Sequence, residues 1–256
     1  MKIEKKLWII LFAFGIFAIC FSGWIFRQST AREKLFWDNT IRCETKELKE
    51  GEIKSENIAL PEDFDVPKSI LFKTTHTIAE VWLDGEKIYE YGNEADAPGF
   101  MKTPGSCWHI VDIPGDSSGK NLEVRIIPVY EGYYGNEVSL VYGTRGDCIL
   151  KILTDCLGIL VISCGILFAA VICILLYCGA ARRKRSDKTE AKIEIFLNLG
   201  FFSLLVAVWT LVQCGFLQFL IPDGRTLYFV EYFSLFLFPV PFNFLLYDIC
   251  KSRYHK

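Results

Sequence analysis

Ile78-Ala-Glu-Val-Trp-Leu-Asp-Gly-Glu-Lys-Ile-Tyr-Glu-Tyr91 is the stretch whose reading decides the fold. Apolar and polar side chains alternate on both sides of Asp84-Gly85, as they do in strands that bury one face. The Asp-Gly pair tolerates the positive φ angles of a two-residue hairpin turn. The segment therefore predicts two antiparallel strands joined at residues 84–85. Trp82, within the first arm, is expected to fill the core, as is Trp108 further on.

Other short strands are predicted around this hairpin. Ile70–Thr75 precedes it, and Cys107–Ile113, Leu122–Ile127 and Glu137–Tyr142 follow, separated by Gly-, Pro- and Ser-rich turns. Strands at this spacing without long helices between them predict an antiparallel β-sandwich. Arg27 to Lys49, rich in Glu and Lys, reads instead as a helical linker. Residues 27–150 together form one water-soluble insert.

The insert lies between apolar runs. Residues 1–26 open with Met1-Lys-Ile-Glu-Lys-Lys6 and continue in an apolar stretch of about the 20 residues that cross a bilayer. That stretch is aromatic-rich and lacks an Ala-x-Ala site, so it reads as a retained signal anchor and not a cleaved peptide. Residues 151–178, 193–214 and 227–250 read as three further spans, giving four. Gly158, Gly165, Ala169 and Cys173 share one stripe of the second, which allows close approach of a neighbouring helix. Pro239 and Pro241 predict a kink in the fourth.

Charge orients the chain. Residues 27–150 hold 14 Lys+Arg and 22 Asp+Glu, a net of −8, whereas the rest holds 14 and 8, a net of +6. Residues 179–192 contain Arg182-Arg-Lys-Arg185, and short basic loops beside spans face the cytoplasm. The expected topology is a multi-pass cell-membrane protein with both termini cytoplasmic and residues 27–150 extracellular. A basic cluster held between two spans argues against nucleic acid as a partner. Only Cys43, Cys107 and Cys148 fall in the insert. Their odd number and spacing argue against a disulfide framework or zinc site, though one disulfide among the three is allowed.

Nothing in the sequence assembles a catalytic constellation. His76, His109 and His255 lack triad or metal-ligand spacing, and no Gly-rich phosphate loop occurs. His109 reads as a packed strand residue, and no cofactor or metal is implied. The ligand-binding candidates are loop residues too polar or Gly-rich to bury: Tyr130, Tyr133, Tyr134 and Asn136 in one loop, Asn93, Glu94 and Asp96 in another. Arg145-Gly146-Asp147 spells an adhesion tripeptide, but its place beside the second span suggests a mechanical junction. Lys151 and Asp155, one turn apart there, are spaced to pair. Glu231 and Asp248 lie near the ends of the fourth span, where water relieves their cost.

Three stretches together resemble a known family: Ala79-Glu-Val-Trp-Leu-Asp-Gly85 with Ile88-Tyr-Glu-Tyr91, Pro104–Pro114, and Asn121-Leu-Glu-Val-Arg-Ile-Ile-Pro-Val-Tyr130. They are similar to the N-terminal sensory region of clostridial-type membrane diguanylate cyclases and related multi-span bacterial receptors. The hairpin also resembles one in the jelly-roll domains of glycosidases. The resemblance implies an extracellular jelly-roll domain, similar to galactose-binding domains, that precedes membrane helices. It also implies a Gly-Gly-Asp/Glu-Glu-Phe output domain, and no such signature occurs here. The expectation is thus a sensory input protein, truncated relative to the cyclases and non-catalytic itself. Its ligand would be a small molecule, carbohydrate or protein outside. It would sit in the lipid bilayer, signal to a cytoplasmic partner, and could form a homodimer. The alternatives are a scaffolding envelope protein that binds carbohydrate or protein, or a small transporter. A transporter would want facing charges at mid-membrane, which the sequence lacks.

Overall fold

A computed structural model describes residues 40–42, 53–60, 66–93, 99–130, 139–182 and 187–254. The apolar run of residues 7–26 and the ligand candidates Tyr133, Tyr134, Asn136, Glu94 and Asp96 lie outside the described residues. Among the described residues eight strands come first: β1 (Thr40–Arg42), β2 (Lys54–Ala59), β3 (Lys68–Thr75), β4 (Thr77–Leu83), β5 (Glu86–Tyr91), β6 (Ser106–Ile113), β7 (Asn121–Pro128) and β8 (Ser139–Gly143). Four α-helices follow: α1 (Arg145–Ala181), α2 (Asp187–Gln213), α3 (Gly224–Leu237) and α4 (Pro239–Tyr254), with a 3₁₀ turn at Gly215–Phe219. The chain divides into two compact units, one made of Ser29–Asp155 with Gln218–Tyr228, the other containing Cys156–Leu217 and the residues from Phe229 on.

In the first unit the strands form two antiparallel sheets, ordered β1-β8-β3-β6 and β2-β7-β4-β5. The predicted hairpin is β4–β5, and its turn carries φ 48° at Asp84 and 85° at Gly85. Those are the paired left-handed conformations that an Asp-Gly turn supplies. The period-2 pleat then sorts the side chains. Ile70, Phe72, Val111, Ile113 and Leu140 from one sheet meet Ala79, Val81, Leu83, Leu122, Val124 and Ile126 from the other in one core.

Two expectations are corrected here, and one strand is new. Residues 40–42, inside the stretch read as a helical linker, pair as β1 with β8. β2, which the sequence did not announce, pairs with β7 over six residues. Trp82 and Trp108 face away from the core, because Val81, Leu83, Cys107 and His109 take the inward positions of their strands. The outward indoles are covered by cations. Arg125 lies 4.4 Å and Lys87 5.6 Å from the Trp82 ring, and Lys73 lies 5.6 Å from that of Trp108. Such contacts are worth about 0.5–1 kcal/mol at exposed sites.

Among the described residues, three helical stretches are long and apolar enough to cross a membrane: Arg145–Ala181, Ile193–Gln213 and Gly224–Lys251. The last is interrupted where α3 ends at Leu237 and α4 begins at Pro239, as a residue without an N–H requires. α1 and α2 meet through small residues, and of the expected stripe Cys173 is at the contact. Ser163, Ala170 and Cys173 are buried, the Ser163 hydroxyl bonds that of Thr210 at 2.8 Å, and Gly158 faces open space. A Cβ on Gly200 would stand 2.8 Å from Ile174 Cγ1, so glycine is what allows that approach.

One residue, Thr144, separates β8 from α1. The Asp147 carboxylate accepts hydrogen bonds from the Thr144 amide at 3.0 Å and its hydroxyl at 2.6 Å, while the Thr144 hydroxyl accepts the Asp147 amide at 3.2 Å. This is a capping box closed by Asp instead of Glu. Arg145 pairs with Asp112 of β6. The Arg-Gly-Asp tripeptide is therefore spent on the strand-to-helix junction. Lys151 and Asp155 pair at 2.8 Å, as their spacing predicted. Replacing Thr144 with alanine is expected to lower stability by about 1 kcal/mol, the usual cost of losing an N-cap. Faster amide exchange over residues 145–148, with the strands unchanged, is the readout.

Candidate functional site: the strand ends and the 218–228 segment

β3, β4, β5, β6 and β7 all present a chain end to one edge of the two-sheet unit. His76 makes the β3–β4 turn with φ 56°, donating its amide to Gly105 O at 2.9 Å and accepting Val129 N–H at 3.2 Å. Those two bonds bring the loop before β6 and the segment after β7 to the same place. Of the sequence-derived ligand residues, Asn93 and Tyr130 are described, and both stand here. Tyr130 is exposed and meets the His76 ring edge-on at 5.9 Å. Asn93 follows β5, its side-chain amide bonded to Glu90 at 3.1 Å.

Residues 218–228 occupy this end, and nothing in the sequence announced it. The Gln218 side chain behaves as one rung of a strand: Trp108 N–H donates to its Oε1 at 2.8 Å, and its Nε2 donates to Trp108 O. β6 is an edge strand, so this amide covers backbone that would otherwise be open to pairing. Gly224 sits where a Cβ would collide with Tyr91 Oη and Cys107 Sγ and stand 2.8 Å from Pro104 O. Its amide donates to Tyr91 Oη at 3.2 Å, and that hydroxyl donates to Pro104 O at 2.9 Å. Arg225 Nη2 donates to Asn93 O at 2.7 Å, and the Tyr228 ring stands edge-on to His76 at 5.1 Å.

Burial sets the electrostatics. The Tyr91 phenol is pushed well above its ordinary range by burial, reinforced by neighbouring Cys107. Burial likewise raises the Cys107 thiol, outweighing the bonds from Tyr91 and Gly224, so it stays protonated and is a poor nucleophile. His76 is lowered by burial, and its Nδ1 shares a hydrogen with Thr103 Oγ1 at 2.8 Å. Burial would raise Asp223, but bonds from the Thr226 hydroxyl and from the Arg225 and Thr226 amides prevail and hold its carboxyl low. Asp223 is thereby the N-cap of α3. Deeper in the core, His109 bridges Thr74 at 2.7 Å and Tyr89 at 2.9 Å. This is the packed histidine expected.

Cys107 and Cys148 are both buried free thiols, and Cys43 lies outside the described residues. Among the described residues no group of three or more His, Cys, Asp or Glu side chains is placed to hold a metal. In the helical unit, a cleft of about 660 Å³ is bordered by Tyr177, Glu194, Asn198, Asn243 and Asp248. Asp248 is 4% exposed, and Asn198 Nδ2 donates to it at 2.6 Å. An amide thus meets part of the cost that the sequence reading assigned to water. Glu231 accepts from Gln213 at 3.1 Å.

Fold and site together define a coarse class: an antiparallel two-sheet domain in a chain that also carries, among the described residues, three helices long and apolar enough to cross a membrane. Comparison with known proteins adds no family to that class. No family model, no curated protein and no solved structure matches the chain.

Proposed function

We propose that the chain is a multi-pass bacterial membrane sensor whose residues 27–150 form an extracellular jelly-roll domain similar to galactose-binding domains. In this reading the apolar run of residues 7–26 is a fourth span, both termini are cytoplasmic, and the protein is related to the sensory region of membrane diguanylate cyclases. It carries no catalytic activity of its own. A small molecule, carbohydrate or protein outside is read by the domain, and the helices pass the change to a cytoplasmic partner, with a homodimer as the natural assembly.

The observation that carries the reading is the junction at Thr144. A strand that runs into a 37-residue apolar helix through one capped residue leaves little slack to absorb a displacement. A tether that only displayed the domain would not need that stiffness. Docking of residues 218–228 on the strand ends supports it, since α3 starts within that segment.

The test uses the full chain in lipid nanodiscs. Thermal-shift screening against neutral sugars, sugar acids and cell-wall fragments should find a stabilising ligand, and that ligand should alter amide exchange in α1 and α3. Binding that leaves both helices' exchange untouched would reject signalling and leave a scaffold that binds the envelope.

A further inference from the structure

Arg225 is incompletely satisfied in a place where satisfaction is expected. Its Nε is buried and, among the described residues, has no hydrogen-bond partner, although Nη2 beside it donates to Asn93 O at 2.7 Å. Nε and Nη2 form one edge of the guanidinium, two parallel donors spaced for the two oxygens of a carboxylate. A single backbone carbonyl fills half of that edge. Buried donors are nearly always paired, so an orphan at the edge of a candidate site calls for an explanation.

Among the described residues, the acids Asp223 and Glu90 are already committed. Asp223 spends both oxygens on the α3 cap, and Glu90 accepts from Lys87 at 2.6 Å and from Asn93. The start of α3 is itself capped by Asp223, so its amides do not compete for an anion. The guanidinium stands beside Asn93, the residue that opens one of the two candidate ligand loops.

We propose that Arg225 anchors a carboxylate-bearing ligand of the sugar-acid class, and that the ligand's carboxylate replaces the Asn93 carbonyl on the Nε–Nη2 edge. This rests on the sensor reading and names the ligand class of that same site. It also supplies a trigger. Transfer of Arg225 from Asn93 to the ligand exchanges a bond to the strand-end loop for a bond to the ligand, at the first turn of α3.

The full chain in nanodiscs is titrated with D-galacturonate and D-glucuronate, and with galactose and glucose as uncharged counterparts. The hexuronates should raise the melting temperature and the neutral sugars should not. Arg225→Lys keeps the charge but not the two-donor edge, and should weaken hexuronate binding about tenfold, the worth of one charge-assisted hydrogen bond. Arg225→Gln should abolish it, with the melting temperature of the unliganded protein serving as the folding control. Equal hexuronate binding by wild type and Arg225→Gln would overturn the proposal. So would a neutral sugar that binds alone, although that result would leave the sensor reading standing. Failure of both hexuronates and both neutral sugars would overturn the proposal and leave the sensor reading with a protein ligand.

Discussion

Replacing Gly224 with valine is expected to lift residues 218–228 off the strand ends. The added side chain must occupy space held by Tyr91 Oη, Cys107 Sγ and Pro104 O. None of these retreats easily: Pro104 O is backbone, Cys107 Sγ belongs to a buried side chain of β6, and Tyr91 is fixed by bonds to both. The approach is tight from the other side too, since a Cβ on Gly105 would collide with the Gly224 backbone. Overpacking of this kind costs about 1–3 kcal/mol. At about 1.4 kcal/mol per tenfold, the open population should rise roughly five- to hundredfold. Cys107, 1% exposed when the segment is seated, reports the opening directly. Its alkylation, followed by peptide mass spectrometry in nanodiscs, should accelerate by that factor, and the Trp108 amide should lose protection as Gln218 departs. Gln218→Ala should expose the Trp108 amide with a smaller gain at Cys107, because it removes the rung and leaves Gly224 in place. Unchanged alkylation and exchange in Gly224→Val would mean that the segment does not hold this seat in solution.

The fold was legible wherever a side chain's period carried the information. Val81, Leu83, Leu122, Val124 and Ile126 alternate with polar neighbours, and Asp84-Gly85 states its turn in two residues. β1 and β2 were illegible for a physical reason. Both lie at sheet edges, and β2, Lys-Ser-Glu-Asn-Ile-Ala, has one large apolar residue and so the composition of a linker. Trp82 was misassigned by giving residue size precedence over parity. The strand's own alternation, with valine and leucine on either side, already sends it outward. The seat was illegible in a deeper sense. Gln218, Gly224 and Arg225 act through an amide rung, a missing Cβ and a backbone carbonyl, none of which leaves a periodic trace. Pro222-Asp-Gly224 has the composition of a turn, but what a turn rests on is a tertiary fact. The small-residue stripe failed more mildly: α1 offers several, and only the α2 partner residues Gly200, Ala207 and Thr210 select among them.

Acid should weaken the two-sheet unit through His109. Its ring lies 4.8 Å from Phe72 and 4.9 Å from Tyr91, is 1% exposed, and is bonded among the described residues to the hydroxyls of Thr74 and Tyr89 and to no carboxylate. Burial pushes its pKa from 6.5 down to about 3, and pushes Tyr89 up to about 12, so both groups are held neutral. The sign follows from proton counting. Below pH 6.5 the unfolded chain takes up a proton that the folded ring refuses until near pH 3. Stability is therefore complete above pH 6.5 and is lost as pH falls through that window. The slope is about 1.4 kcal/mol per pH unit, or roughly 2–3 kcal/mol lost on going from pH 6.5 to 4.5. Carboxylates titrate mostly below that interval, so the histidines dominate it. His76, also lowered by burial, adds in the same direction. Urea midpoints of the full chain in nanodiscs, followed by amide exchange in β3 and β6, should fall steadily across the interval. His109→Gln keeps a donor and an acceptor for Thr74 and Tyr89 but cannot titrate, so it should flatten most of the slope while lowering the midpoint at pH 7.5. A wild-type midpoint constant between pH 6.5 and 4.5 would show that the ring admits a proton without opening the core. A slope that survives in His109→Gln would move its origin to His76, and with it the acid sensitivity from the core to the seat of residues 218–228.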